Sequence, residues 1–155
     1  MKKIAGENKI EAIFAFSQGS LLSIILSILI KTDNAYKDLF KDLKCVILCA
    51  GFLEPFPNNE ELLEHKEKIK NILLFNNNIK KESIAEEDNH LIMPIPILNV
   101  FGEADEIIKP EKSKNIEKLY INVESFNHPG KHFIPSAKPD IERYVSFLQK
   151  YLFSD

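Results

Sequence analysis

One serine-centred turn constrains this chain more than any other stretch. The apolar run 10–16 ends at Ser17, and a strongly apolar helical pattern follows over 18–30. The residues two before and two after the serine, Ala15 and Gly19, are both small. This pattern is typical of a nucleophile elbow, a sharp strand-to-helix turn where close backbones exclude larger side chains and the serine hydroxyl projects above the sheet.

The serine alone also allows a simpler interpretation. A Ser-Gln-Gly at the start of a helix can be an N-cap, in which the Ser17 hydroxyl oxygen accepts a hydrogen bond from a backbone N–H of the first turn. Ala15 also stands where the elbow pattern usually has glycine, which adds one methyl group. The choice between the two depends on residues further along the chain.

Composition limits the classes of protein to be considered. A chain of 155 residues suits one domain and can bury a real core. The net charge of −3 gives no basic face for nucleic acid, so we expect no nucleic-acid partner. Cys45 and Cys49 lie in one apolar run and are expected to be reduced core residues.

No stretch of the sequence predicts a membrane span. The first nine residues lack the apolar core of a signal peptide. The apolar stretch 21–30 is too short to cross a bilayer and is interrupted by serines. We therefore expect a cytoplasmic protein.

Strand-like and helix-like patterns alternate along the chain. Continuous apolar runs are typical of strands covered on both faces, as in parallel sheets. Their alternation with helices predicts an α/β fold with a mostly parallel sheet of about four strands and flanking helices. The predicted strands are 10–16, 44–50, 94–102 and 120–124, and the predicted helices are 18–30, 35–43, 110–119 and 139–153.

The charged, asparagine-rich segment 58–92 fits this alternation least well. A helix is plausible over 60–75. We expect an insertion or a lid over the site, and the alternative is a solvated surface excursion without a role.

Three residues follow strands in the order that α/β-hydrolases use for a catalytic triad. Ser17 follows the first strand, Asp105 the third and His132 the fourth. The carboxyl ends of parallel strands meet at one edge of a sheet, so we expect the three side chains to converge. Ser17 would be the nucleophile, His132 the general base and Asp105 the acid that orients it, with the backbone N–H of Gln18 in the oxyanion hole.

Other residues compete for two of these roles. Glu103 and Glu106 flank Asp105, although the spacing after the third strand favours Asp105. His128 competes with His132, and together they have the H-x3-H spacing of metal ligands. Proline and glycine between the two histidines argue against the helix that usually presents such a pair, so we predict no metal and no organic cofactor.

Four stretches together resemble one known family. They are FSQG at 16–19, GF at 51–52, ILNVFGEAD at 97–105 and HPGKHFIP at 128–135. This combination resembles the FSH1-type (OVCA2-like) serine hydrolases of the α/β-hydrolase superfamily. Lys131 stands where that family usually has a second glycine.

The resemblance implies an esterase or thioesterase acting on a small-molecule acyl substrate, with Ser17, Asp105 and His132 as its triad. An apolar acyl chain would suit a pocket of aromatic and aliphatic side chains. The residues predicted to line that pocket are Phe52, Leu53, Phe56 and Phe133.

The chain departs from the family before the elbow, where family members carry several strands. We therefore expect 1–155 to be a single, N-terminally truncated domain, the C-terminal part of the full fold. The absent loop normally donates the second oxyanion N–H, and strand 10–16 would be an unpaired edge available for homodimerisation. The alternative to an active hydrolase is a catalytically inactive remnant of the fold that acts as an interaction or dimerisation module.

Overall fold

A parallel sheet is the centre of the fold. The computed structural model describes residues 9–53 and 93–153. In this part of the chain the strands lie side by side in chain order, and every neighbouring pair is parallel. The expected α/β architecture with a mostly parallel sheet is confirmed. The strands are β1 (Ala12–Phe16), β2 (Cys45–Cys49), β3 (Ile97–Gly102) and β4 (Val123–His128).

Helices cover both faces of the sheet. On one face, Ile24 and Ile28 pack with Val46 of β2. On the other face, Phe147 packs with Ile47 of β2. All five residues of β2 are buried, which explains its continuous apolar run. The helices are α1 (Gln18–Thr32), α2 (Asn34–Leu39), α3 (Pro110–Asn115), which continues into a 3-10 helix (Ile116–Leu119), and α4 (Lys138–Leu152).

The serines that interrupt the apolar pattern of α1 are buried and hydrogen-bonded. The Ser20 hydroxyl donates to the Cys49 carbonyl at 2.8 Å. Ser23 donates to the Gly19 carbonyl and Ser27 to the Ser23 carbonyl, each at 2.9 Å. These small side chains let α1 lie close to the sheet without leaving a buried hydroxyl unpaired.

Both cysteines are free and buried, as expected. Burial raises the pKa of the Cys45 thiol to about 11 and that of Cys49 to about 12. Both side chains therefore remain protonated thiols near neutral pH and act as small core residues.

The fourth strand differs from the prediction. It begins at Val123 rather than at residue 120 and continues to His128, so the fourth strand is present but its predicted limits, 120–124, were wrong. Phe126 and His128 are buried whereas Ser125 and Asn127 are exposed, an alternation that fits the place of β4 at one end of the sheet formed by the described residues. The polar residues of this stretch led to its interpretation as a loop.

Other predicted features lie outside the described residues. These are the lid or insertion 58–92, the helix 60–75 and Phe56. Among the described residues, no helix is long and apolar enough to cross a membrane.

The burial of β2 leads to a prediction about stability. We expect Ile47→Ala, at a fully buried position, to lower the free energy of unfolding by about 2–5 kcal/mol because it leaves a cavity between the sheet and α4. The matched control is Ile141→Ala on α4, where the side chain is 46% exposed and the change is expected to stay below about 0.5 kcal/mol. Urea unfolding measures both, and equal effects would contradict the described packing.

Candidate active site

Ser17 lies in a strained turn between β1 and α1. It has φ 52° and ψ −114°, a backbone conformation that costs a non-glycine residue about 1–3 kcal/mol. Its N–H donates to the Cys49 carbonyl at 2.9 Å, and its carbonyl accepts from the Leu21 N–H at 3.1 Å. The side chain makes no capping hydrogen bond, so the N-cap interpretation was wrong.

The two small residues of the elbow face each other. A Cβ atom added at Gly19 would lie 3.9 Å from the Cβ of Ala15, which is an ordinary contact distance. The turn therefore accommodates alanine at 15 beside glycine at 19.

The structure brings Ser17, His132 and Asp105 into one chain of hydrogen bonds. The distance from His132 Nε2 to Ser17 Oγ is 3.0 Å, and that from His132 Nδ1 to Asp105 Oδ2 is 2.8 Å. An ionised carboxylate can only accept, so Nδ1 carries the proton of the neutral ring. Nε2 is then free to accept the hydroxyl proton of Ser17.

Asp105 is held rigidly and away from water. Its side chain is 1% exposed, and Oδ1 accepts hydrogen bonds from the backbone N–H groups of Ile107 at 2.9 Å and Ile108 at 2.8 Å. These bonds satisfy the oxygen that does not face His132, as a buried carboxylate requires. Asp105 therefore presents a fixed acceptor to the imidazole.

The competing carboxylates lie elsewhere. Glu103 is exposed and accepts a hydrogen bond from the Asn127 side chain. Glu106 is exposed and forms an ion pair with Lys131 at 3.7 Å. Neither replaces Asp105 beside His132.

The second histidine has a different environment. His128, at the end of β4, is buried, and its Nδ1 accepts a hydrogen bond from the Gly130 N–H at 3.3 Å. Both ring nitrogens of His132 face Ser17 and Asp105, so His128 and His132 do not form a ligand pair. Across residues 9–53 and 93–153, no three metal-ligating side chains cluster.

Two loops dock against each other to position the histidine and the aspartate. We call residues 103–109 the acid loop and residues 129–137 the base loop. The Ala104 N–H donates to the Gly130 carbonyl at 3.1 Å. A Cβ atom at Gly102 would lie 2.4 Å from the carbonyl oxygens of both Gly130 and Lys131, so only glycine permits this close approach.

Two aromatic residues that were not predicted as site residues support the base loop. The Tyr144 hydroxyl on α4 donates to the Pro135 carbonyl at 3.1 Å. The ring of Phe16 packs on that of His132, with 4.9 Å between the centroids. An aromatic residue directly before the candidate nucleophile was the available signal for Phe16, whereas the role of Tyr144 depends on loop geometry.

The remaining predicted site residues are placed as follows. Gln18 is the first residue of α1, so its N–H has no acceptor within the helix and lies directly after Ser17. Phe52 is half-buried, and Phe133 is 48% exposed on the base loop. Leu53 is 2% exposed and belongs to the core cluster.

The docking of the loops leads to a prediction for Gly102. We expect Gly102→Ala to push the base loop away and to lower the free energy of unfolding by about 1–3 kcal/mol, since its Cβ would overlap two carbonyl oxygens. In proton NMR, the downfield signal of the proton between His132 and Asp105 should shift or disappear. Gly19→Ala is the matched control, because its Cβ meets only an ordinary contact. An unchanged signal in Gly102→Ala would contradict the tight docking.

Comparisons with known proteins place the chain in a family. A family model described as "Serine hydrolase (FSH1)" matches residues 1–144. Esterase OVCA2 of Homo sapiens is 32% identical over 71 residues, which are 46% of this chain and 30% of the human protein. Esterase OVCA2 of Danio rerio is 33% identical over 60 residues, which are 39% of this chain and 26% of that protein. The matches thus cover about a third or less of these relatives.

Solved structures agree on the fold. Alpha/beta hydrolase domain-containing protein 10 from mouse matches with a TM-score of 0.53 and 15% identity, covering 96% of this chain and 64% of its own. A cold-adapted esterase from an Arctic intertidal metagenomic library matches with a TM-score of 0.53 and 13% identity, covering 90% of this chain and 48% of its own. At these identities the similarity shows the fold alone. With the family match over residues 1–144, the chain belongs to the FSH1 family of serine hydrolases and has the α/β-hydrolase fold.

Proposed function

We propose that this protein hydrolyses an ester or thioester bond through an acyl-enzyme on Ser17. The observation that carries this proposal is the hydrogen-bonded chain from Ser17 through His132 to Asp105, in a member of a serine hydrolase family. The names of the relatives as esterases support the same reaction class.

The geometry suits nucleophilic catalysis by serine. Ser17 Oγ attacks the acyl carbonyl while His132 Nε2 takes its proton, which is then returned to the leaving oxygen or sulfur. Water, activated by the same nitrogen, releases the acyl group in the second half of the reaction. Asp105 keeps Nδ1 protonated and stabilises the positive charge that forms on the ring.

The N-terminus of α1 supplies stabilisation for the oxyanion. The N–H of Gln18 directly follows the nucleophile, and the partial positive charge of the helix N-terminus favours developing negative charge beside it. A second donor would come from outside this turn. Its loss would raise the barrier by about 3 kcal/mol, equivalent to roughly a hundredfold in rate.

The surroundings of the triad favour an apolar acyl group. Phe133 presents an exposed aromatic surface on the base loop, and Phe52 follows β2, the strand next to the elbow. These two side chains would contact the acyl chain, since apolar pockets with few polar groups are typical of small-molecule sites. The proposed catalysis requires no metal and no organic cofactor.

The second candidate function is a catalytically inactive module that dimerises through β1. β1 lies at one end of the sheet formed by the described residues, and Phe14 on it is 48% exposed. A module without catalysis has no physical need for the strained backbone at Ser17 or for a buried carboxylate aimed at His132. We therefore favour the hydrolase.

Covalent labelling tests the proposed nucleophile. A fluorophosphonate should modify folded wild-type protein as Ser17 Oγ attacks phosphorus, fluoride leaves and the proton passes to His132. Intact mass should show one adduct, which should be absent from Ser17→Ala. The matched control is Ser125→Ala, at an exposed serine on β4, which should be labelled like the wild type. Folded wild-type protein that stays unlabelled would refute the hydrolase and leave the dimerising module, which sedimentation would then test.

A second prediction concerns the tautomer of His132. In Asp105→Asn, the amide oxygen can keep the two backbone N–H bonds from residues 107 and 108, which turns the NH2 group towards His132 Nδ1. Nδ1 must then accept, the proton moves to Nε2, and the ring can no longer take the proton of Ser17. We expect the labelling rate to fall by about 10⁴-fold, with near wild-type stability. A change below about tenfold would argue against the orienting role of Asp105.

A further inference from the structure

His128 is a buried histidine that the proposed mechanism does not use. It is 6% exposed, and its ring lies between two aromatic rings, with centroid distances of 4.8 Å to Phe133 and 6.3 Å to Phe126. An imidazole in apolar surroundings is expected to be neutral and to have a partner for at least one nitrogen.

Two contacts of this ring, a hydrogen bond and a packed aromatic ring, lie on the base loop, on either side of His132. Nδ1 accepts the Gly130 N–H at 3.3 Å, two residues before the base. The Phe133 ring, which packs on the same imidazole, belongs to the residue directly after the base. A Cβ atom at Gly130 would lie 3.0 Å from His128 Nδ1 and 2.3 Å from Phe133, so the three groups are closely packed.

The same glycine connects the ring to the acid loop. While the Gly130 N–H points to His128, its carbonyl accepts the Ala104 N–H at 3.1 Å, next to Asp105. The His128 carbonyl accepts the Glu103 N–H at 2.8 Å. The N–H and the carbonyl lie in the two peptide units on either side of the Gly130 Cα, so a shift of the backbone at Gly130 would disturb both loops that bring His132 to Asp105.

We infer that His128, in its neutral form, is a positioning residue that holds the base loop so that His132 reaches Ser17. The inference rests on the proposed function. A backbone N–H can only donate, so His128 Nδ1 must be unprotonated and the ring is the Nε2–H tautomer. Protonation would turn Nδ1 into a donor facing the Gly130 N–H. The hydrogen bond would be lost and the loop displaced.

Burial and the charges around the ring determine the pH at which His128 takes up a proton. Burial lowers the pKa of His128 and outweighs nearby carboxylates, which act in the opposite direction. The unfolded chain therefore takes up the proton first as pH falls below the ordinary value of 6.5, and the stability contributed by the neutral ring declines from there downwards. The charged groups on the surrounding elements are Asp140, Asp105 and Glu103 with Arg143 and Lys131.

Two variants distinguish the contributions of the hydrogen-bond acceptor, the aromatic ring and the positive charge of His128. His128→Asn keeps an acceptor, Oδ1, near the position of Nδ1 but cannot be protonated in this range. His128→Phe keeps a packed ring but loses the acceptor. The measurement is the second-order rate of fluorophosphonate labelling at Ser17 from about pH 5 to about pH 9, with unfolding followed in parallel.

The expected pH profiles of the labelling rate differ in the steepness of the acid limb and in the rate reached at alkaline pH. In the wild type the acid limb should approach a loss of about two protons, one from each histidine, provided that both must be neutral. His128→Asn should recover the alkaline rate with an acid limb of about one proton. His128→Phe should be labelled about 10- to 100-fold more slowly at alkaline pH, because its base loop is no longer fixed. A one-proton wild-type limb that superimposes on His128→Asn, or wild-type labelling of His128→Phe, would overturn the inference.

NMR of the wild-type protein tests the positioning role of His128 even if a variant fails to fold. ¹⁵N spectra should show His128 as the Nε2–H tautomer, and the Gly130 amide and the His132 ring should shift with the midpoint of the His128 titration. The Nδ1–H tautomer, or a Gly130 amide that ignores this titration, would overturn the inference. A wild type that is never labelled would instead refute the proposed hydrolase, and the spectra would still show whether His128 holds the loop.

Discussion

The buried carboxylate of Asp105 is the interaction on which the site depends. With 1% of its side chain exposed, it would be strongly unfavourable unless both oxygens had partners. Two backbone N–H groups of the acid loop satisfy Oδ1, and His132 satisfies Oδ2. The acid loop must therefore fold tightly around the carboxylate, and the base loop must bring its imidazole to it. Ser17 then only has to be held within hydrogen-bond distance of the other ring nitrogen of His132.

The position of Ser17 is held by contacts with β2 and not by β1 alone. The Cys49 carbonyl at the end of β2 accepts both the Ser17 N–H and the Ser20 hydroxyl, which joins the turn and the first turn of α1 to the neighbouring strand. Ala50, the next residue, has φ 50° and donates its N–H to the Val100 carbonyl. Strain at the carboxyl ends of two adjacent strands is thus held by hydrogen bonds to neighbouring strands, as strained positions require.

The sequence predicted the parallel topology and the convergence of Ser17, Asp105 and His132 because both follow from coarse features. Continuous apolar runs identify buried parallel strands, and the carboxyl ends of such strands meet at one edge whatever the loops do. The limits of β4 were missed because an edge strand alternates in polarity, and Ser125 and Asn127 resembled loop residues. Leu53 lies in the core cluster, and the sequence cannot distinguish that position from a pocket because an apolar residue beside a candidate site fits both equally well. The contacts of His128 and Gly102 depend on how two loops pack, which no local pattern encodes.

The docking of these loops also explains why Lys131 is accommodated where the related family usually has glycine. Among the described residues, Ser17 and Ala50 are the non-glycine residues with positive φ, so Lys131 has a backbone conformation open to any side chain. Its side chain is 72% exposed, and its ion pair with Glu106 at 3.7 Å contributes little in water. The closely packed positions are instead Gly130, where an added Cβ would collide with the Phe133 ring, and Gly102, where it would collide with backbone carbonyls. The position of His132 is therefore set by backbone contacts and buried rings, and the sequence can vary at 131 because that side chain points away from them.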